Sequence, residues 1–133
     1  MYKIERTAIG FKLTFGGTVT KADMQPWFEE SKTALRKCKK PFGVIVDMRA
    51  LELLPPEVQA EIVKGQMLYR HSGLERSALI LGDPFVTLQL MRLAKKSGVH
   101  KYERYIDASS DDQWELHAEE WVRSGIDPKR SDQ

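Results

Sequence analysis

Residues 42 to 49 read Phe-Gly-Val-Ile-Val-Asp-Met-Arg, and no other stretch restricts the possible folds so tightly. An apolar run of strand length, rich in β-branched residues and preceded by Pro41, has the pattern of a strand buried on both faces. Such strands lie at the centre of parallel sheets, where helices cover each side. The run closes on Asp47 and Arg49, a carboxylate and a guanidinium at the carboxyl end of a central strand, where open α/β sheets gather their ligands.

The rest of the chain supplies the elements such a sheet needs. Tyr2 and Ile4 alternate with Lys3 and Glu5, and Phe11, Leu13 and Phe15 alternate with Lys12 and Thr14, with Gly10 between the two runs. Period two on both sides of a short turn predicts an antiparallel hairpin with one buried face, ended by Gly16-Gly17. Met24, Trp27, Phe28, Ser31, Leu35 and Cys38 then recur at helical spacing. Asp23 is the expected cap, after a turn from Thr20, because Pro26 then falls in the first turn, where its missing N–H is harmless. Pro56 opens a second helix that runs to about His71 and stops at Gly73, with Val58, Ile62, Gly65 and Tyr69 on one face. Gly65 costs roughly 1 kcal/mol against alanine in mid-helix, which predicts a close backbone neighbour.

Ser77 to Leu81 forms a second buried strand, and Asp83-Pro84 caps and opens a third helix carrying Phe85, Leu88 and Met91, flanked by Val86, Leu90, Leu93 and Ala94. Tyr102 to Asp107 is charged and imperfectly alternating, as an outer strand should be. Ser110 and Gln113 make a capping box for a fourth helix whose apolar face is Trp114, His117, Ala118, Trp121 and Val122, stopped by Gly125. The order is β-β-α-β-α-β-α-β-α: an α/β fold with a mixed, mostly parallel sheet of about five strands, an N-terminal antiparallel hairpin and about four helices.

At 133 residues the chain suits one domain, expected over 1–126 with a flexible tail over 127–133. No apolar segment approaches the roughly 20 residues of a spanning helix, and the amino end lacks the apolar block of a signal peptide, so the expectation is a cytoplasmic protein without a transmembrane segment. Cys38 is the single cysteine, which leaves no internal disulfide and no cysteine-rich zinc site. A net charge of +2, from 21 basic and 19 acidic residues, is too even to argue for nucleic acid.

The order of elements, the run Val44-Ile45-Val46-Asp47, the apolar loop after it and the helix that follows resemble the STAS domain (sulfate transporter and anti-sigma factor antagonist), and within it the small stand-alone bacterial proteins described as SpoIIAA-like. The resemblance covers about Ile4 to Val122. In the anti-sigma antagonists it implies, the loop after this strand carries an aspartate-serine pair phosphorylated by a partner kinase. Here that place reads Leu53-Leu54-Pro55-Pro56, with no hydroxyl, so the phosphoswitch does not carry over. Lipid or small-anion binding, found in other members of the wider fold group, needs no such serine.

Several residues are candidates for a site. Asp47 and Arg49 share a face or a crevice, with Arg49 as an anion-binding fork and Asp47 as its orienting group, or as a salt link that ties down a strand end. Leu51, Leu53 and Leu54 pack on the core or form a binding surface. Tyr69 and Asp83 complete the set near the helix that follows each central strand. Gly16-Gly17-Thr18 lacks the lysine and spacing of a phosphate loop, and His117 with Glu120 cannot complete a metal site alone. Cys38 sits at a helix carboxyl end, which opposes a thiolate. The expected function is therefore a non-enzymatic regulatory or binding module without cofactor or metal, engaging a partner protein or a small amphipathic ligand at the carboxyl end of the central strands through Arg49, the Leu51 to Leu54 loop and the start of the third helix. The alternatives are a small hydrolase or transferase using Asp47 with His71 or Tyr69, and a structural homodimer.

Overall fold

The computed structural model describes residues 1–128. Among them the chain forms β1 (Tyr2–Thr7), β2 (Gly10–Phe15), α1 (Lys21–Lys37), β3 (Phe42–Met48), α2 (Pro56–His71), β4 (Leu74–Leu81), α3 (Pro84–Ser97), β5 (Glu103–Asp107) and α4 (Trp114–Ser124). One element lies outside the expected alternation: a 3₁₀ turn, Val99–Lys101, carries the chain from α3 to β5. The strands form a single mixed sheet in the order β1-β2-β3-β4-β5, with β1 antiparallel to β2 and the other pairs parallel. The run 42–48 is therefore the middle strand, and Arg49 lies in the turn just past its end.

The two faces of the sheet are unequal. Phe11, Leu13, Phe15, Val44, Val46, Met48, Leu79 and Leu81 point to one side, where they meet α1, α2 and α3 in the main core. Ala78, Ile80 and Ile106 point to the other and meet Ala118, Trp121 and Val122 of α4. Because α4 is alone there, Ile45 and Asp47 of β3 are only half-buried, so the central strand is covered on one face and partly open on the other.

The start of α1 differs from the expectation. Thr20, not Asp23, is the cap: Asp23 N–H donates to the Thr20 hydroxyl at 3.2 Å, and Thr20 N–H donates to the Asp23 carboxylate at 2.9 Å. This reciprocal box satisfies two orphan donors and outweighs the helical hydrogen bond lost at Pro26, which now lies inside the helix on an exposed face. At α4 the expected Ser110–Gln113 box does not form. Gln113 itself is the cap residue, the Ser110 hydroxyl turns back to Asp107, and Asp111 receives both the Gln113 N–H at 2.9 Å and His117 Nδ1 at 2.5 Å.

Gly65 has a close neighbour, but it is a side chain and not a backbone. A Cβ on Gly65 would lie 2.3 Å from the Trp27 ring, which stacks on Tyr69 with 5.9 Å between centroids and meets Phe15 edge-on at 5.4 Å. Glycine therefore lets α1 and α2 close over one indole. On α3 the cap Asp83 and the first-turn Pro84 are as expected, but the inward stripe is Val86, Leu90, Leu93 and Ala94. Phe85 and Leu88 face outward, 67% and 63% exposed. At the carboxyl end, Asp127 accepts a hydrogen bond from Arg104 Nε at 3.0 Å and so is tied to β5, while 129–133 of the expected flexible tail lie outside the described residues.

Candidate functional site

The carboxyl ends of β3 and β4 bring together part of the expected set. Asp47 and Arg49 form a bidentate pair, Arg49 Nε to Oδ1 at 3.0 Å and Nη2 to Oδ2 at 2.9 Å, and the Arg49 backbone N–H also donates to Oδ1 at 3.1 Å. The Arg49 guanidinium, facing Asp47, lies over the Trp114 ring of α4, 4.3 Å from its centroid. Hydrogen bonds from the Arg49 side chain, helped by its backbone N–H and opposed by partial burial, hold the Asp47 carboxyl below its ordinary range. The fork of Arg49 is thus already occupied by Asp47, and its first role is to close the strand end. An Arg49→Ala substitution is expected to cost only about 1 kcal/mol in urea unfolding, because the side chain is 47% exposed and solvent screens both the ion pair and the ring contact. A loss of several kcal/mol would contradict this reading.

The three loop leucines divide. Leu51 and Leu54 are buried, 5% and 4% exposed, and belong to the main core. Leu53 stands 57% exposed. The loop is held from both sides. Gly17 N–H donates to the Ala50 carbonyl at 2.9 Å, and Glu52 N–H donates to the Gly17 carbonyl at 3.2 Å, so the glycine pair read as a weak phosphate-loop signal spends its backbone on this loop. On the other side Leu54 N–H donates to Gln89 Oε1 at 2.8 Å, and the Leu54 carbonyl accepts from Gln59 Nε2 at 2.8 Å and Gln89 Nε2 at 3.2 Å. Gln89 lies between Phe85 and Arg92 on the outer side of α3, so this clasp ties the loop that carries Leu53 to the helix that carries Phe85 and Leu88.

Tyr69 is not at this site. Its hydroxyl pairs with Ser31 Oγ at 2.8 Å within the main core, and burial pushes its pKa up to about 12. Asp47 faces the opposite side of the sheet, and His71 lies at the far end of α2, beside the amino end of β4. The groups required by the hydrolase or transferase alternative are therefore not assembled. Asp83 acts as a helix cap, receiving Phe85 N–H at 2.7 Å and Val86 N–H at 3.3 Å.

Charge is distributed unevenly over this end. The loops that leave β3, β4 and β5 carry Glu52, Asp83, Asp111 and Asp112, with Arg49 as their sole cation, itself paired to Asp47. Lysines and arginines collect at the helix carboxyl ends on the other side of the molecule, at Arg36, Lys37, Arg70, Lys95 and Lys96. The start of α3 belongs to the expected site; what sequence reasoning missed there is that Phe85 and Leu88 point outward, and that Trp114 is the partner of Arg49. A stretch such as Phe85 to Met91, with apolar residues at 85, 86, 88, 90 and 91, offers two stripes, and only the position of the sheet selects one of them.

Among the described residues no helix is long and apolar enough to cross a membrane, and no group of three or more His, Cys, Asp or Glu side chains is arranged to hold a metal ion. Comparison with family models, with curated proteins and with solved structures finds no match to this chain.

Proposed function

We propose that the protein is a non-enzymatic, STAS-like binding module that engages a basic amphipathic segment of a partner protein at the carboxyl end of its central strands. The observation that carries this reading is that three large apolar side chains, Leu53, Phe85 and Leu88, are each more than half exposed on a loop and a helix clasped together through Gln89. Large apolar side chains gathered at one place on a surface mark interaction sites. A platform fixed in advance by hydrogen bonds loses little freedom on binding. Glu52, next to Leu53, and Asp83, two residues before Phe85, are exposed and, with the cation Arg92 one turn beyond Leu88, leave the platform net negative, which favours positive charge in what docks there.

The test uses two helical peptides, one of leucine and lysine and one of leucine and glutamate, with fluorescence anisotropy as the readout. The lysine peptide should bind, and added salt should weaken it. A Phe85→Ser, Leu88→Ser double variant should bind it at least about tenfold more weakly, ~1.4 kcal/mol, with unchanged unfolding. Equal binding of the glutamate peptide, or no loss in the double variant, would overturn the proposal. Concentration-dependent dimers abolished by the same variant would assign the patch to a second copy of the chain instead.

A further inference from the structure

A second surface runs along the outer edge of β1, a free margin of the sheet. The hairpin register sets Tyr2 opposite Phe15, Lys3 opposite Thr14, Ile4 opposite Leu13 and Glu5 opposite Lys12. Its hydrogen-bonding phase is visible where the strand begins: Gly16 N–H donates to the Met1 carbonyl at 3.0 Å, and the Met1 nitrogen donates to the Gly16 carbonyl at 3.1 Å. Met1 and Gly16 are thus a hydrogen-bonded pair. Such pairs alternate with unbonded ones along an antiparallel ladder, so Lys3, Glu5 and Thr7 spend their backbone groups on β2, while Tyr2, Ile4 and Arg6 turn their N–H and C=O groups outward. No hydrogen bond reaches that outer edge among the described residues.

An unpaired edge is a template for another strand, and charged side chains on it decide which strands it accepts. Lys3, Glu5 and Arg6 are exposed, and none of them takes part in an ion pair among the described residues. Tyr2 and Ile4 are half-buried on the main-core side, so Arg6 follows them there and Lys3 and Glu5 point to the side of α4. An antiparallel second copy can hydrogen-bond to this edge only if residues 2, 4 and 6 meet residues 2, 4 and 6, which puts a two-fold axis at a single residue. With the axis at Ile4, Ile4 meets Ile4, Tyr2 meets Arg6, and Lys3 meets Glu5 in both directions. Moving the axis to Lys3, Glu5 or Arg6 sets like charges face to face. Opposite charges across neighbouring strands stabilise and like charges directly opposite destabilise, so one register is selected. In that register Arg6 of the second copy arrives beside Tyr2, whose hydroxyl donates to the Glu30 carboxylate at 2.7 Å. A groove lined by Tyr2, Lys3, Ile4 and Glu30 lies along the edge to receive it.

We propose that a second copy of this chain docks antiparallel along β1 with the two-fold axis at Ile4, joining the two sheets into one continuous sheet. Charges that only repelled other strands would have no reason to be complementary to their own reverse order about Ile4. Because the same edge serves both copies, the pairing closes at two and leaves no β1 edge free. This interface is separate from the Leu53, Phe85 and Leu88 surface and does not depend on it.

Sedimentation equilibrium of the full chain over a concentration series should show monomer and dimer in exchange below about 1 mM, with the dimer weakened by added salt. Lys3→Glu alone and Glu5→Lys alone should each weaken the dimer at least about tenfold, because each sets like charges opposite one another twice. An equal mixture of these two variants should recover a dimer of one of each, within about threefold of the unaltered protein, since each then presents the charges that the other lacks. The Phe85→Ser, Leu88→Ser variant should dimerise as the unaltered chain does. A monomer at every concentration, dimers indifferent to salt, a mixture no tighter than its components, or dimers lost in the Phe85 and Leu88 variant would each overturn the proposal. Recovery on mixing separates a charge effect from a folding defect, and the concentration and salt series on the unaltered protein decides the matter even if a variant fails to fold.

Discussion

Glu103→Gln should leave the protein about 3 kcal/mol more stable than the unaltered chain near pH 8 and no more stable below about pH 4.5, as read by urea unfolding across that range. The carboxyl has an ordinary value of 4.5 and rises to about 7 in the folded protein because it is buried without a counter-charge. The difference, 7 minus 4.5, corresponds to about 3 kcal/mol. Between these two values the folded chain binds more protons at this position than the unfolded chain, so stability falls as pH rises through the window and stays low above it. Glutamine has no proton to lose. The groups that face Glu103 are Ser77 of β4 and Tyr105 of β5, with Lys95, His100 and Arg104 across a surface cleft at the β5 edge. All are common to both proteins, so the difference between the two curves isolates the carboxylate. Asp23, Asp47 and Asp107, whose pKa values are lowered by hydrogen bonds, produce the opposite slope in more acid solution. Parallel curves for the two proteins would show that Glu103 is not held in its neutral form.

The second large effect concerns Gly65. Alanine there gains about 1 kcal/mol in helix propensity, yet its Cβ would overlap the Trp27 ring at 2.3 Å. That ring is held in place, because it stacks on Tyr69 and meets Phe15 edge-on. Overpacking a core in this way costs typically ~1–3 kcal/mol and more when the neighbour is rigid; the expected net loss for Gly65→Ala is about 3 kcal/mol. The same change on a Trp27→Leu background should cost less than about 1 kcal/mol, since the branched side chain leaves the space free. If the cost is the same on both backgrounds, the indole is not what excludes a side chain from position 65.

Much of the architecture could be read from local features. Proline and glycine mark the ends of α2 and α3, the β-branched run of 42 to 48 marks a covered strand, and alternation marks the hairpin. These signals are strong because they act through backbone geometry within a few residues. The errors at the helix starts have the same origin in reverse. Thr20 and Asp23 are both good caps, and small differences in the approach of the chain select Thr20; at α4 the Ser110 and Asp111 side chains are spent in the preceding turn, and Gln113 starts the helix without a side-chain cap. The pair Asp47 and Arg49 was visible as a pair, but its partner Trp114 lies 65 positions further on and could not be found from spacing.

By itself the sequence determined an α/β chain with a middle strand, a charged pair at its exit and an apolar loop after it, because these depend on residue type and short-range period; that one face of this strand stays partly open was decided by α4 standing alone there. Only the tertiary structure decided which apolar side chains are hidden. It turned Phe85 and Leu88 outward, sent Leu51 and Leu54 inward, placed Tyr69 in the core and enclosed Glu103. The physical reason is that burial belongs to a residue's neighbours across the sheet, and those neighbours are supplied by elements far away in the chain.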